Sequence, residues 1–140
     1  MKTKINFKQS ILAGLWAAIT AAIINAVLFY IFHAAGIISD SIYIMPETSL
    51  GVMPIIISSI VPTLIASMVF FLIEKFTKNG FKIFAGISVL LLALSFIRPF
   101  TGIPGVTVGY ALVLNLMHIA VVLALLYYIG KTNKINSSNN

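Results

Sequence analysis

Three observations predict an all-α membrane protein, an antiparallel bundle of four transmembrane helices with the N and C termini cytoplasmic. Four long apolar segments, at about residues 10–35, 52–74, 82–98 and 106–130, alternate with short polar connections. Hydrophobic residues make up 60% of the 140-residue chain and charged residues only 9%, against roughly a quarter in soluble domains. The lysines are confined to alternate polar stretches: Lys2, Lys4 and Lys8, then Lys75, Lys78 and Lys82, then Lys131 and Lys134. The other connections hold Asp40 and Glu47 in one case and Arg98 in the other. Positive charge is retained on the cytoplasmic side during insertion, which places both termini inside. Spans of about 20 residues with short links fill residues 1–130 as a single domain. The polar stretch 131–140 reads as a disordered tail.

In a soluble protein a net charge of +6 would suggest nucleic acid. Here the basic residues are juxtamembrane, so the charge reads as orientation and anionic-lipid contact, with the bilayer as partner and no nucleic acid. Cysteine is absent, which excludes structural disulfides and thiolate zinc sites. The apolar run from Ile11 to Phe32 is far longer than a signal-peptide core of about 7–15 residues, so it reads as a retained first span.

Segment one ends at Ala35-Gly36, where glycine can terminate a helix. It carries two small-residue ridges at four-residue spacing: Ala13, Ala17, Ala21 and then Asn25, and beside it Gly14, Ala18, Ala22 and Ala26. Small residues let helix backbones approach closely in lipid, so this face is expected to contact protein. The connection over residues 37–51 reads either as a short amphipathic element on the membrane surface or as an ordinary loop. Segment two contains Pro62, which removes a backbone hydrogen bond. Nearby Ser58, Ser59, Thr63 and Ser67 offer hydroxyls for the carbonyl it releases, and the last three share one face. Segment three follows a basic turn containing Asn79-Gly80, is aliphatic apart from Ser88 and Ser95, and is closed by Arg98-Pro99. After the breaker-rich turn 101–105, segment four returns with Asn115 and His118.

Counting about 1.5 Å per residue from the outer end of each span puts Asn25, Thr63, Asn115 and His118 about 13–18 Å deep. They are expected to form one polar layer near the middle of a hydrocarbon core about 30 Å thick. Asn115 and His118, three residues apart, are read as neighbours on one face. Polar groups at that depth are expensive unless they meet one another or a wet cavity, so the layer is either a helix clamp or a ligand site. Burial would favour neutral His118. Arg98 is the single positive charge outside, expected to pair with Asp40 or Glu47 or to meet an anionic ligand at a cavity mouth. His33 reads as a solvated interfacial histidine, some 15 Å above His118, which argues against a bis-histidine haem. Asn25, Thr63, Arg98, Asn115 and His118 are thus the candidate ligand-binding residues, with no metal, cofactor or catalytic set expected.

Four short features resemble a family of small bacterial four-span membrane proteins classed as a domain of unknown function. They are Ser95 with Arg98-Pro99-Phe100, Leu116-Met117-His118-Ile119, Asn25 with its aliphatic and aromatic run to Gly36, and Ser59 with Pro62. The resemblance covers most of residues 10–130. It implies four spans and a bacterial inner-membrane location, and brings no activity with it.

The leading expectation is a small inner-membrane protein that is not an enzyme. It would act by helix-mediated interaction, as a homo-oligomer or with a membrane-protein partner, through the ridges of segment one. The alternatives use the polar layer: a small-solute transporter or permeation subunit hinged at Pro62, or a lipid- or quinone-binding protein with its ligand near His118 and Arg98. No span carries a mid-membrane carboxylate of the kind that small proton-coupled multidrug exporters use.

Overall fold

The computed structural model of the protein describes residues 4–138, so Lys2 lies outside it. In chain order it contains α1 (Phe7–Ala34), β1 (Tyr43–Met45), β2 (Thr48–Ser49), α2 (Val52–Phe76), α3 (Gly80–Ser95), α4 (Arg98–Gly102) and α5 (Val108–Ser138). With α3 and α4 taken together as Gly80–Gly102, four segments are long and apolar enough to cross a membrane. α1 packs between α2 and α5, and α3 packs against the same two helices without reaching α1. The chain ends meet: Gln9 Nε2 donates to Asn136 Oδ1 at 3.1 Å, and Asn136 Nδ2 donates to Gln9 Oε1 at 2.9 Å. This terminal end also holds the α2–α3 turn. The opposite, hairpin end holds the α1–α2 and α3–α5 connections.

Local chemistry sets the limits of α1. Asn6 Oδ1 accepts the Gln9 N–H at 2.8 Å and Gln9 Oε1 accepts the Asn6 N–H at 3.0 Å. This capping box starts the helix three residues before the apolar run. At the other end Gly36 takes φ 74°, so its N–H reaches His33 O and the Ile37 N–H reaches Phe32 O. That is a Schellman stop, which the Ala35-Gly36 pair anticipated. α5 departs from expectation, because the tail read as disordered is helical through Ser138. Thr132 donates its hydroxyl to Tyr128 O, and the Gln9–Asn136 pair ties this last stretch to α1. The tie joins residues 127 positions apart, a partner that local composition does not reveal.

The two ridges of α1 are buried inside the bundle. Ala17, Ala18 and Ala21 are fully buried, together with Gly14, Ala13 and Ala22. Facing them is the Ser59, Thr63 and Ser67 face of α2. A Cβ on Gly14 would overlap the Ser67 side chain, and Ser10 donates its hydroxyl to Ser67 O at 2.6 Å. The α2 hydroxyls turn back onto their own helix: Ser59 to Ile55 O, Thr63 to Ser59 O and Ser67 to Leu64 O. They keep buried oxygens satisfied and the seam thin, but none goes to Ser58 O, the carbonyl that Pro62 leaves free. Phe70 and Phe84 pack edge to face at 5.2 Å, joining α2 to α3 above the turn. There a Cβ on Gly80 would come within 2.6 Å of Glu74 Cα. α3 buries only Gly80, Phe84 and Ser88; from Val89 to Ser95 it buries nothing.

Residues 37–51, expected as a surface element or a loop, form a small antiparallel hairpin with Tyr43 opposite Ser49. Ile38, Ile42 and Leu50 anchor it in a second core with Phe29, Ile55, Tyr110 and Met117. His33 Nε2 and Asp40 Oδ1 lie 3.1 Å apart, so His33 is paired rather than merely solvated. Among the described residues this is the one ion pair within 4 Å, so the expected Arg98 pairing with Asp40 or Glu47 is absent.

Candidate functional site

Polar side chains from three helices converge in the hairpin half of the bundle, with Asn25 at the centre. It is 2% exposed, and its Nδ2 donates to Ser59 Oγ at 3.0 Å and to Met117 O at 3.2 Å. A carbonyl only accepts, so the Met117 bond identifies the NH2 side of the amide. Asn25 Oδ1 is then left buried without a partner among the described residues. Asn25 also lines a cavity of about 90 Å³ with Ser58, Ser59, Leu114 and His118. That is space enough for ordered water.

Two expected members of the polar layer lie elsewhere. Thr63 is one turn beyond Ser59, fully buried, with its hydroxyl bonded to Ser59 O at 2.6 Å. The level partner of Asn25 on α2 is therefore Ser59. Asn115 faces the break between α3 and α4, where its Nδ2 donates to Phe96 O at 3.2 Å. Across the break Phe100 N–H bonds Ile97 O instead, which leaves the Phe96 carbonyl to Asn115. Asn115 thus ties α5 to the α3–α4 corner.

His118, although three residues on, takes no part in that bond. Asn115 is buried, whereas His118 is exposed, contrary to the expected burial. His118 Nδ1 lies 2.8 Å from Leu114 O. Nδ1 therefore carries the proton, and Nε2 remains for another group. His118 and Leu114 also line a second cavity, of about 260 Å³, with Ser95, Arg98, Ile44 and Ile103. The two cavities meet at His118. Beside them α3 has no fully buried residue after Ser88, while Pro99 and the Asn115 bond return the chain at the corner.

The structure thus brings His118 together with Arg98 on one side and Asn25 on the other, and sets Thr63 and Asn115 apart. Ser58, Ser59 and Ser95 belong to the site although they were not among the candidates. Their visible signals were the placement of Ser58 and Ser59 near Pro62 and of Ser95 ahead of Arg98-Pro99. No group of three or more metal-ligating side chains occurs among the described residues.

With this geometry in view, residues 6–134 match the model of a family described as Family of unknown function (DUF6069). The chain belongs to that family. The matched stretch holds all five candidate residues and both cavities, and the family carries no assigned activity. No curated protein and no solved structure matches the chain.

Proposed function

We propose that this DUF6069 protein is a non-catalytic, ligand-binding protein of the bacterial cytoplasmic membrane, with both termini in the cytoplasm. The ligand is an amphiphile with an anionic head, taken up sideways into the cleft at the hairpin end. One observation carries the reading: Arg98, without a carboxylate partner among the described residues, shares an apolar-walled cleft with His118. A guanidinium fork matches carboxylate and phosphate geometry. His118 Nε2 serves a second polar atom, and Ile44, Ile103 and Leu114 suit a hydrocarbon chain. The interaction reading loses its surface, since Ala17 and Ala21 are already buried within one chain. A transport reading requires rearrangement, because Phe70, Phe84, Leu125 and Ile129 fill the core toward the terminal end.

The orientation rests on Lys4, Lys8, Lys75, Lys78, Lys82, Lys131 and Lys134, all at the terminal end. Because the chain has no cysteine, Ser138→Cys and Tyr43→Cys report the two sides directly. A membrane-impermeant maleimide applied to intact cells should label Tyr43→Cys and spare Ser138→Cys. The reverse pattern would invert the orientation. For the ligand, oleate is added to the protein in mild detergent and adducts are counted by native mass spectrometry. One oleate per chain is expected, reduced at least tenfold by Arg98→Gln and by His118→Ala. Equal adducts in all three proteins, or none in the wild type, would overturn the binding reading.

A further inference from the structure

A second feature lies on the outside of the bundle, along the seam of α1 and α5. Two cavities there, of about 510 and 390 Å³, both border Tyr128 and so lie end to end as a groove along this seam. Toward the membrane middle the groove is walled by Ile24, Leu28, Leu116, Ala120 and Leu123. Toward the terminal end its wall changes to Gln9, Trp16, Lys131 and Thr132. The hydroxyls of Thr20 and Tyr128, 3.0 Å apart, tie the seam where the two stretches meet.

Helix length places this change of character at the membrane boundary. α1 has 28 residues, or about 42 Å, against a hydrocarbon core of about 30 Å. If the hairpin end sits at one boundary, the other falls about 20 residues back from Ala34, near Gly14 to Trp16. Gln9 meets Asn136 and Thr20 meets Tyr128, which sets Lys131 level with Trp16. Trp16 is 58% exposed and Tyr127 61%, as expected of aromatic residues in an interfacial belt. Lys131 also lines a neighbouring cavity with Lys134, so two cations are available at headgroup height.

We infer that this groove is a binding site for one anionic phospholipid of the leaflet nearest the termini. The phosphate meets Lys131, the indole of Trp16 flanks the head, and an acyl chain runs past Tyr128 along Ala120 and Leu123. Charge selects the occupant. A second copy of this chain would press Lys131 and Lys134 against their own counterparts, and an apolar partner helix would leave the Lys131 charge without water. The inference is independent of the cleft at Arg98.

The test titrates phosphatidylglycerol and phosphatidylcholine with identical acyl chains into the protein in mild detergent and reads retained lipid by native mass spectrometry. The wild type should retain phosphatidylglycerol roughly fivefold better, the effect of about one juxtamembrane lysine. Lys131→Gln, a surface change, should bring the two lipids to parity, and Ala120→Trp should lower retention of both. Arg98→Gln should leave the preference intact, which separates this site from the cleft. Equal retention of the two lipids by the wild type would overturn the inference, as would a preference that survives Lys131→Gln or is lost in Arg98→Gln.

Discussion

The terminal and hairpin halves of this bundle are built on opposite plans. In the terminal half the seam of α1 and α2 is a stack of Gly, Ala and Ser, the Ser10 and Ser67 hydroxyls are bonded, and Phe70 packs against Phe84. In the hairpin half α3 buries no residue fully after Ser88, and cavities of about 90 and 260 Å³ open. Three of the four buried side-chain atoms without a partner among the described residues are there: Asn25 Oδ1, Tyr110 Oη and Asn115 Oδ1. The close packing of the fold and the proposed ligand cleft therefore sit at separate depths. A small bundle with one tight half can leave the other half incompletely satisfied, which is where a ligand finds groups to engage.

The largest effect follows from breaking the tight half. Gly14→Leu has no room, because even a Cβ overlaps Ser67. It should cost roughly 3 kcal/mol, a fall of about 10 °C in the Tm followed by circular dichroism in detergent. Gly86→Leu, on the open side of α3 with nothing within 4 Å, should cause no loss. Equal losses at the two glycines would mean that the halves do not differ in packing as described.

Next come the clamps. Asn25→Ala removes bonds to Ser59 and Met117, and Asn115→Ala strips Phe96 O of its donor. Each should lower stability by about 0.6–1.7 kcal/mol in the same unfolding assay, the range of interhelical hydrogen bonds in membranes. Losses as large as that of Gly14→Leu would place the main stability of the bundle in the hairpin half instead.

A smaller change concerns the hairpin that roofs the site. Glu47 holds φ 59°, a left-handed conformation that favours glycine. Glu47→Gly should raise stability by about 0.5 kcal/mol, visible as a Tm increase of a degree or two. A fall would show that the Glu47 side chain contributes more than its backbone costs.

Most of the architecture was legible because lipid imposes simple rules. Length and hydropathy mark spans, and a four-residue period of small residues such as Ala17 and Ala21 marks a buried face. The period does not say which helix covers that face, and here it is α2 of the same chain. Asn25 was legible through polarity and depth. Its partner was misplaced by one turn because α2 begins about two residues deeper than α1 ends, roughly 3 Å, and Gly51 gives no sign of that offset. The cleft itself was not legible. It depends on α3 burying no residue fully after Ser88, and an aliphatic run such as Val89 to Leu94 reads the same whether lipid or a helix covers it.

The last contrast separates clamp from site within the hairpin half. Asn25 and Asn115 are buried and bonded across helices, whereas His118 and Arg98 are exposed, and His118 bonds only within its own helix. His118→Ala and Arg98→Ala should therefore change stability by less than about 0.5 kcal/mol. Their Tm should stay within a degree or two of wild type in detergent without added ligand, while both lose the stabilisation that added oleate gives the wild type. Ligand stabilisation grows as RT ln(1 + [L]/Kd), so saturating oleate at about 100 times Kd should raise wild-type stability by about 2.7 kcal/mol. Should either variant unfold early without ligand, that side chain holds the fold and belongs with the clamps. Should both keep the full oleate response, the cleft beside them is not where the amphiphile binds.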